Sequence, residues 1–346
     1  MHPISNKLIQ WYKINKRDLP WRNTTDPYKI WLSEIILQQT QVAQGLSYYI
    51  KFVEHFPTVV DLANAPEDLV MRLWQGLGYY SRARNLHAAA KYIVNEHNGL
   101  FPKTYEEIRK LKGVGDYTAA AVASFAFQLP HAVVDGNVYR VLSRLFNSNT
   151  PINSSQGKKE FQLIANELLH TKKADLHNSS IMEFGALFCK PQNPKCEECP
   201  LQENCLAFQN QTVTILPVKT KTVKIKNRFF NYVVFNHKES VYITKRVEKD
   251  IWQNLYEFYL IESSEEIDTE TILENKELQK MVSRFKLKKA TKVSKHILSH
   301  QHIHAVFYEL DVEGKITDKR FKKVKRTELT SYGFPQLINK YLESAG

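Results

Sequence analysis

The sequence predicts two domains, a helical one followed by one that mixes strands and helices. Three observations carry this reading. Residues 105–112 read as a helix that runs into Gly113 and Gly115, turns, and re-enters a helix of small residues over 118–127, which is a helix-hairpin-helix pattern. All four cysteines fall between Cys189 and Cys205, and the composition shifts directly after them. From residue 228 onward, the runs 229–235, 241–245 and 303–310 have the composition of strands. A chain of 346 residues is long enough for two separate cores.

Forty-eight Lys and Arg stand against 36 Asp and Glu, a net charge of +12, which favours an acidic partner such as nucleic acid. No apolar run follows Met1, and no stretch approaches the roughly 18 apolar residues of a membrane span. The expectation is a cytoplasmic protein. No P-loop, GxSxG elbow or Rossmann glycine signature occurs, which argues against the chemistries those motifs serve. There is no internal repeat and no low-complexity tract.

The elements follow in order. Asp18 to Arg22 reads DLPWR, an aromatic and a cation ahead of the first well-defined helix. Asp26 and Pro27 supply an N-cap and a first-turn proline for a helix over 28–41. That helix is mostly apolar, and Glu34 sits inside it. Either Glu34 lies on the wet side, or it is desolvated and keeps a proton towards neutral pH, the state a general acid needs. Pro66 opens another helix, which ends in QGLGYYSRARNL at 75–86. Gly76 and Gly78 place Leu77 on a loop, with Tyr79 beside it and arginines behind. This is either a helix cap or a wedge suited to a base stack. Thr104 and Glu107 form a capping box leading into the hairpin. There, glycines permit a left-handed turn and let amides approach a phosphate. Val133 and Val134 deliver Asp135 into Gly136 and Asn137, where Asp135 is either an N-cap or a chemically placed carboxylate.

The cysteines are spaced C-x6-C-x2-C-x5-C, at Cys189, Cys196, Cys199 and Cys205. Four thiolates in one short loop can surround a soft metal centre, and the spacing leans towards [4Fe-4S] over zinc. Residues 211–227 are polar and rich in threonine and lysine, and read as a linker. In the second domain, helices are expected at 269–283 and 327–342. The lysines at 286, 288, 289, 292 and 295 could meet a phosphate backbone or simply be solvated. Ser299 and His300 lie in HILSHQHIHA, where four histidines occupy nine residues. The alternation there reads as a strand with surface or DNA-facing histidines.

Taken together, LPWR at 19–22, WLSEIILQQTQV at 31–42, QGLGYYSRARNL, the hairpin at 105–128, VVDGNVYRV at 133–141, the cysteine loop at 189–205 and DIWQNLYEFYLIE at 250–262 resemble one family. It is the MutY type of adenine DNA glycosylase, within the helix-hairpin-helix DNA glycosylase superfamily. The resemblance covers essentially the whole chain. It implies an all-α catalytic domain with an iron-sulfur cluster loop over 1–210, a linker over 211–227, and an α+β Nudix-like lesion-recognition domain over 228–346. The glutamate cluster of a Nudix hydrolase is missing there.

The implied activity is monofunctional base excision. Adenine opposite 8-oxoguanine or guanine in duplex DNA is flipped out, protonated and cleaved from its sugar through an oxocarbenium-like intermediate. The implied catalytic residues are Glu34, Asp135, Tyr117 and Asn137. Arg22 and Gln39 match the adenine pocket, Gln38 the lesion pair, Leu77 and Tyr79 the wedge, Gly113 and Gly115 the phosphate contact, and Ser299 and His300 the lesion-reading loop. The four cysteines match the ligands of a [4Fe-4S] cluster, and the family leaves room for a monovalent cation at the hairpin. The partner is duplex DNA and the protein a monomer. Two departures stand out: Lys112 occupies a position usually held by proline, and Leu298 one usually held by phenylalanine. The rival readings are an endonuclease III-like glycosylase/lyase, whose catalytic lysine would take the place of Tyr117, and a non-catalytic iron-sulfur DNA-binding protein.

Overall fold

The computed structural model describes residues 2–220, 225–293 and 295–345. The chain forms two compact units, one of residues 1–63 and 88–221, the other of residues 64–87 and 222–346. The second unit thus includes a piece drawn from the helical part of the sequence.

In the first unit, α1 (Pro3–Asn15) leads through a 3-10 turn (Pro20–Arg22) to α2 (Pro27–Leu37), α3 (Val42–His55) and α4 (Val59–Asn64). The α2 helix starts where expected, with the Asp26 side chain accepting from the Tyr28 amide, but it stops four residues early. After Leu37 the apolar residues give way to Gln-Gln-Thr-Gln, and Gln39 takes a left-handed φ of 55°, so Gln38 and Gln39 lie beyond the helix rather than on it. Helix α5 (Glu67–Leu73) belongs to the second unit, and α6 (Ser81–His97) runs from the second unit into the first.

The hairpin joins α7 (Tyr105–Lys110) to α8 (Asp116–Phe127). Thr104 and Glu107 make the capping box, with the Glu107 amide donating to Thr104 Oγ1 at 3.3 Å. Gly113 has φ +80°, a value that favours glycine. Gly115 does not share this need: its φ is −95°. It is instead an open approach, since a Cβ built there meets nothing within 4 Å.

Helices α9 (Gly136–Leu145), α10 (Ser155–Leu168) and α11 (Ala174–Leu187) complete the bundle before the cysteine loop and the short α12 (Leu206–Gln209). Leu8, Val138, Leu142, Phe161, Ile181 and Phe184 close one core between α1, α9, α10 and α11. Part of the expected linker is bound to this unit: the Ile152 amide donates to Val218 O at 3.0 Å, and Asn153 Nδ2 to Thr220 O at 3.0 Å. Residues 221–224 of that linker lie outside the described residues.

The second unit is built on a sheet in the order β3 (Tyr256–Glu257), β2 (Ser240–Lys245), β1 (Lys226–His237), β7 (Gln301–Val312) and β5 (Phe285–Lys292). The short strands β4 (Tyr259–Ser263), β6 (His296–Ile297) and β8 (Lys322–Lys325) flank it. Strands β1 and β7 run parallel, with Phe230 opposite Ala305 and Phe235 opposite Leu310. The helix expected at 269–283 is two helices, α13 (Thr269–Leu273) and α14 (Lys276–Met281), because Asn275 caps the second by accepting from the Glu277 and Leu278 amides. The one expected at 327–342 is a 3-10 turn (Arg326–Ser331) followed by α15 (Gln336–Ala345). Gly333 and Pro335 fall between them, and proline favours an extended residue before it and a fresh helix start after it.

Candidate active site

Glu34 lies on the inner face of α2 and is 7% exposed. The Tyr117 hydroxyl, from the first turn of α8, donates to Glu34 Oε2 at 2.7 Å. Burial pushes the Glu34 carboxyl up to about 7; the Tyr117 hydrogen bond and the Arg22 charge pull it down, and the Asp135 charge pushes it up. The wet-side alternative does not hold. An apolar surround on several sides of α2 leaves the carboxyl desolvated, and its neutral form is favoured.

Asp135 satisfies both of its sequence readings. It caps α9, with Oδ1 accepting from the Asn137 amide at 2.9 Å and the Val138 amide at 2.8 Å, while Oδ2 accepts from Asn137 Nδ2 at 2.8 Å. Burial raises its carboxyl above the usual range, and these three donors oppose that rise. One site therefore contains a carboxyl braced by a tyrosine and a second held by three N–H groups.

The sequence reading missed what stands behind Asn137. Arg140 Nη2 donates to Asn137 Oδ1 at 2.9 Å and to Gly185 O at 2.7 Å, and its Nε donates to Cys189 O at 2.7 Å. Asp135, Asn137, Arg140 and the first cysteine are thus joined by consecutive hydrogen bonds. Gly185 is needed for this: a Cβ there would come within 2.7 Å of Asn137 Cβ and 2.9 Å of Asn137 O. The Asn137–Arg140 spacing is i,i+3 on one helix face, a signal that could have flagged the arginine. Nothing in the local sequence marks Gly185. Glu183 and Arg17 were missed as well. Arg22 donates to Glu183 Oε2 at 2.7 Å, so its guanidinium is bound to a buried carboxylate.

Gln38 Nε2 donates to Thr118 Oγ1 at 3.2 Å, and Gln39 is exposed. Lys112 is exposed on the hairpin turn. Beside it, Arg109 donates to Asp116 Oδ1 at 2.5 Å and to Val114 O at 3.0 Å, which ties the end of α7 to the start of α8.

All four cysteines line one pocket together with Arg144, Phe188 and Phe208. Arg144 is 2% exposed. Its Nη1 donates to Cys189 Sγ at 3.3 Å and to Lys190 O at 2.7 Å, and its Nε donates to Val213 O at 3.1 Å. A guanidinium at a thiol favours the thiolate that a metal centre requires. The donor set and its surroundings therefore fit a cluster.

The remaining predicted residues lie in the second unit. Leu77 is buried, at 7% exposed, whereas Tyr79, with φ 47°, is 42% exposed. An exposed apolar tip at Leu77 is thus not observed. Trp74 Nε1 and Arg82 Nη2 donate to Gly78 O at 3.0 Å and 3.3 Å and hold the loop in this shape. The Tyr79 hydroxyl and Ser299 Oγ share a short hydrogen bond. Together they border a cavity of about 480 Å³ that is also lined by Leu77, Trp252, Leu298 and His300. His300 is exposed, and its carbonyl accepts from the Lys226 amide at 3.0 Å. Among the described residues, the four histidines of 296–304 form no group of three ligands that could hold a metal ion.

Sequence comparisons agree with this architecture. Residues 32–167 match the family described as HhH-GPD superfamily base excision DNA repair protein, 231–344 match the NUDIX domain, and 189–205 match the iron-sulfur binding domain of endonuclease III. Among solved structures, a thermostable thymine-DNA glycosylase aligns with a TM-score of 0.56 at 31% identity over 60% of this chain and 95% of its own. A non-covalent endonuclease III–DNA complex aligns with a TM-score of 0.52 at 24% identity, which shows the fold. Fold and site together define a base-excision repair protein of the helix-hairpin-helix class. An adenine DNA glycosylase of Buchnera aphidicola subsp. Baizongia pistaciae is 37% identical over 72% of each chain, and that of subsp. Acyrthosiphon pisum is 29% identical over 99% of this chain and 97% of its own. The human adenine DNA glycosylase is 42% identical over 58% of this chain and 39% of its own. The chain belongs to the adenine DNA glycosylase family.

Proposed function

We propose that the protein removes adenine from duplex DNA where it is mispaired with 8-oxoguanine or guanine, by hydrolysis alone and without cutting the strand. The observation that carries this is a pair of carboxyls in unlike settings: Glu34 buried against the Tyr117 hydroxyl, which favours its protonated form, and Asp135 held by three N–H donors. Glu34 hands its proton to a ring nitrogen of the flipped adenine, which makes the base a leaving group. Tyr117 orients that carboxyl through its hydrogen bond. As the glycosidic bond breaks, positive charge grows on the sugar, and Asp135 stabilises it or bonds to it, in the manner of paired carboxylates in glycoside hydrolysis. Asn137 and Arg140 fix Asp135. Glu34, now ionised, can then take a proton from the attacking water.

Duplex binding is supported by the net charge of +12, the open approach at Gly115, and the exposed Lys112 and Gly113 beside it. A monovalent cation at the hairpin belongs to the same reading. The cavity bounded by Tyr79, Ser299 and His300 suits a flat oxidised base, so residues 228–346 act as the lesion reader, residues 1–210 as the catalytic domain and 211–227 as the connector between them. The four cysteines hold [4Fe-4S]. Bound there, it would hold the loop around 190–204 in its fold, while the excision itself falls to the carboxyls. Iron and sulfide analysis of protein purified without oxygen checks it, and stoichiometric zinc without iron would contradict it.

The deciding experiment is a single-turnover assay on duplexes with one central 8-oxoguanine:A, G:A, G:T or thymine glycol:A pair. Adenine loss confined to the first two, abolished in Glu34→Gln, is the expected result. Excision at thymine glycol, with borohydride crosslinking that is lost in Lys112→Ala, would establish the lyase reading instead.

A further inference from the structure

Glu183, on α11, belongs to neither half of the carboxyl pair. It is fully buried, so its charge must be matched. Oε1 accepts from the amide and Nε of Arg17, each at 2.9 Å; Oε2 accepts from Arg17 Nη2 at 2.6 Å and Arg22 Nη2 at 2.7 Å. Against the push of burial, these donors hold the carboxyl down to about 2. Arg17 grips both oxygens and fixes their orientation. Arg22 is held by one edge only, lies 5.6 Å from the Tyr12 ring, and keeps a buried Nη1 with no partner among the described residues.

We propose that Glu183 is a positioning residue for the acid chemistry of Glu34, acting through Arg22. This rests on the function proposed above and deepens it. The groups that act on Glu34 are Tyr117 from α8, Asp135 from the start of α9, and Arg22 from the Pro20–Arg22 turn that packs on α2. An arginine beside a carboxylic acid strips its proton, which is the wrong influence for an acid catalyst. Glu183 pairs the charge of Arg22 at its source. With its charge paired in this way, the guanidinium pulls on the Glu34 proton less than a free cation would.

The test uses the full chain with its cluster and compares wild type, Glu183→Gln and Glu183→Asp by single-turnover excision across pH. In Glu183→Gln the alkaline limb of the rate moves towards acid by about one pH unit, so the rate at about pH 8 falls roughly tenfold further than at about pH 5.5. Glu183→Asp keeps the charge and so keeps the limb at its wild-type position, even where the overall rate drops. Adding Arg22→Met to Glu183→Gln returns the limb, though not the rate. A loss of rate equal at every pH, with the limb unmoved, overturns the proposal. A 13C titration of the Glu34 carboxyl in the free protein, assigned by the signal lost in Glu34→Gln, reads the same shift with no substrate. An unshifted Glu34 in Glu183→Gln therefore sinks this inference, whereas absence of adenine excision by wild type sinks the reading beneath it. Should Glu183→Gln fail to fold, Arg22→Met alone must move the Glu34 titration to higher pH, and no upward movement overturns the proposal.

Discussion

Glu34 illustrates the conflict that one residue must carry. A carboxyl raised from the ordinary 4.5 to about 7 is bound to its proton more tightly in the folded than in the unfolded chain. Its favourable contribution to stability is therefore complete below about pH 4.5 and is lost as pH rises through about 7. The full difference amounts to about 3 kcal/mol. Glu34→Gln, which cannot ionise, is expected to unfold at a higher temperature than wild type above pH 7 and at nearly the same temperature near pH 4, while excision is abolished. Thermal denaturation at the two pH values checks the first part. A variant no more stable at pH 8 than wild type would mean that the carboxyl is not desolvated. In wild type, the excision rate should fall above about pH 7 as the proton is lost.

At the scale of elements, three glycines do different work. Gly113, at φ +80°, holds the turn between α7 and α8, and Gly113→Ala is expected to cost about 1–2 kcal/mol by forcing a Cβ into the left-handed region. Gly115 has an ordinary φ and open space around it. Gly115→Ala should leave stability within about 0.5 kcal/mol yet weaken duplex binding several-fold, because the added methyl sits where a phosphate approaches. Chemical denaturation and a binding titration of the two variants separate these effects. Gly185 is the close contact between α9 and α11. Gly185→Ala must push Asn137 and is expected to cost about 1–3 kcal/mol, with a loss of excision larger than the stability loss explains, since Asn137 holds Asp135. An excision rate unchanged at a temperature where the variant is fully folded would count against the hydrogen-bonded line from Arg140 to Asp135.

For the whole molecule, the excess of 12 positive charges sets how it meets a polyanion. Duplex affinity is expected to fall steeply and log-linearly with salt. Lys112→Ala should weaken binding to matched and mismatched duplexes alike and reduce the slope by about one counterion. A binding titration at several salt concentrations tests both. A Lys112 effect confined to mismatched duplex would place that lysine at the lesion instead of the backbone.

The amino-acid sequence alone was enough for the helical and mixed parts, the hairpin with its capping box, the strand runs at 229–235 and 303–310 that lie within β1 and β7, and the four-cysteine loop. These are local matters, settled by periodicity, capping residues and spacing along the chain. It also supplied the residues of the site, but left Glu34 and Asp135 each with two readings. Packing answered them differently, burying Glu34 and leaving both readings of Asp135 in force, because desolvation depends on what packs against a residue from elsewhere in the chain. Tyr117, 83 residues away, decides the setting of Glu34. The ends of elements were also a tertiary matter, as at Leu37, where polar glutamines continue the chain but no core supports a further turn. Glu183, Arg17 and Gly185 were invisible for the same reason. A buried carboxylate whose arginine partners lie 161 and 166 residues away, and a glycine needed for one helix crossing, leave no local pattern; their roles exist only once the helices have met.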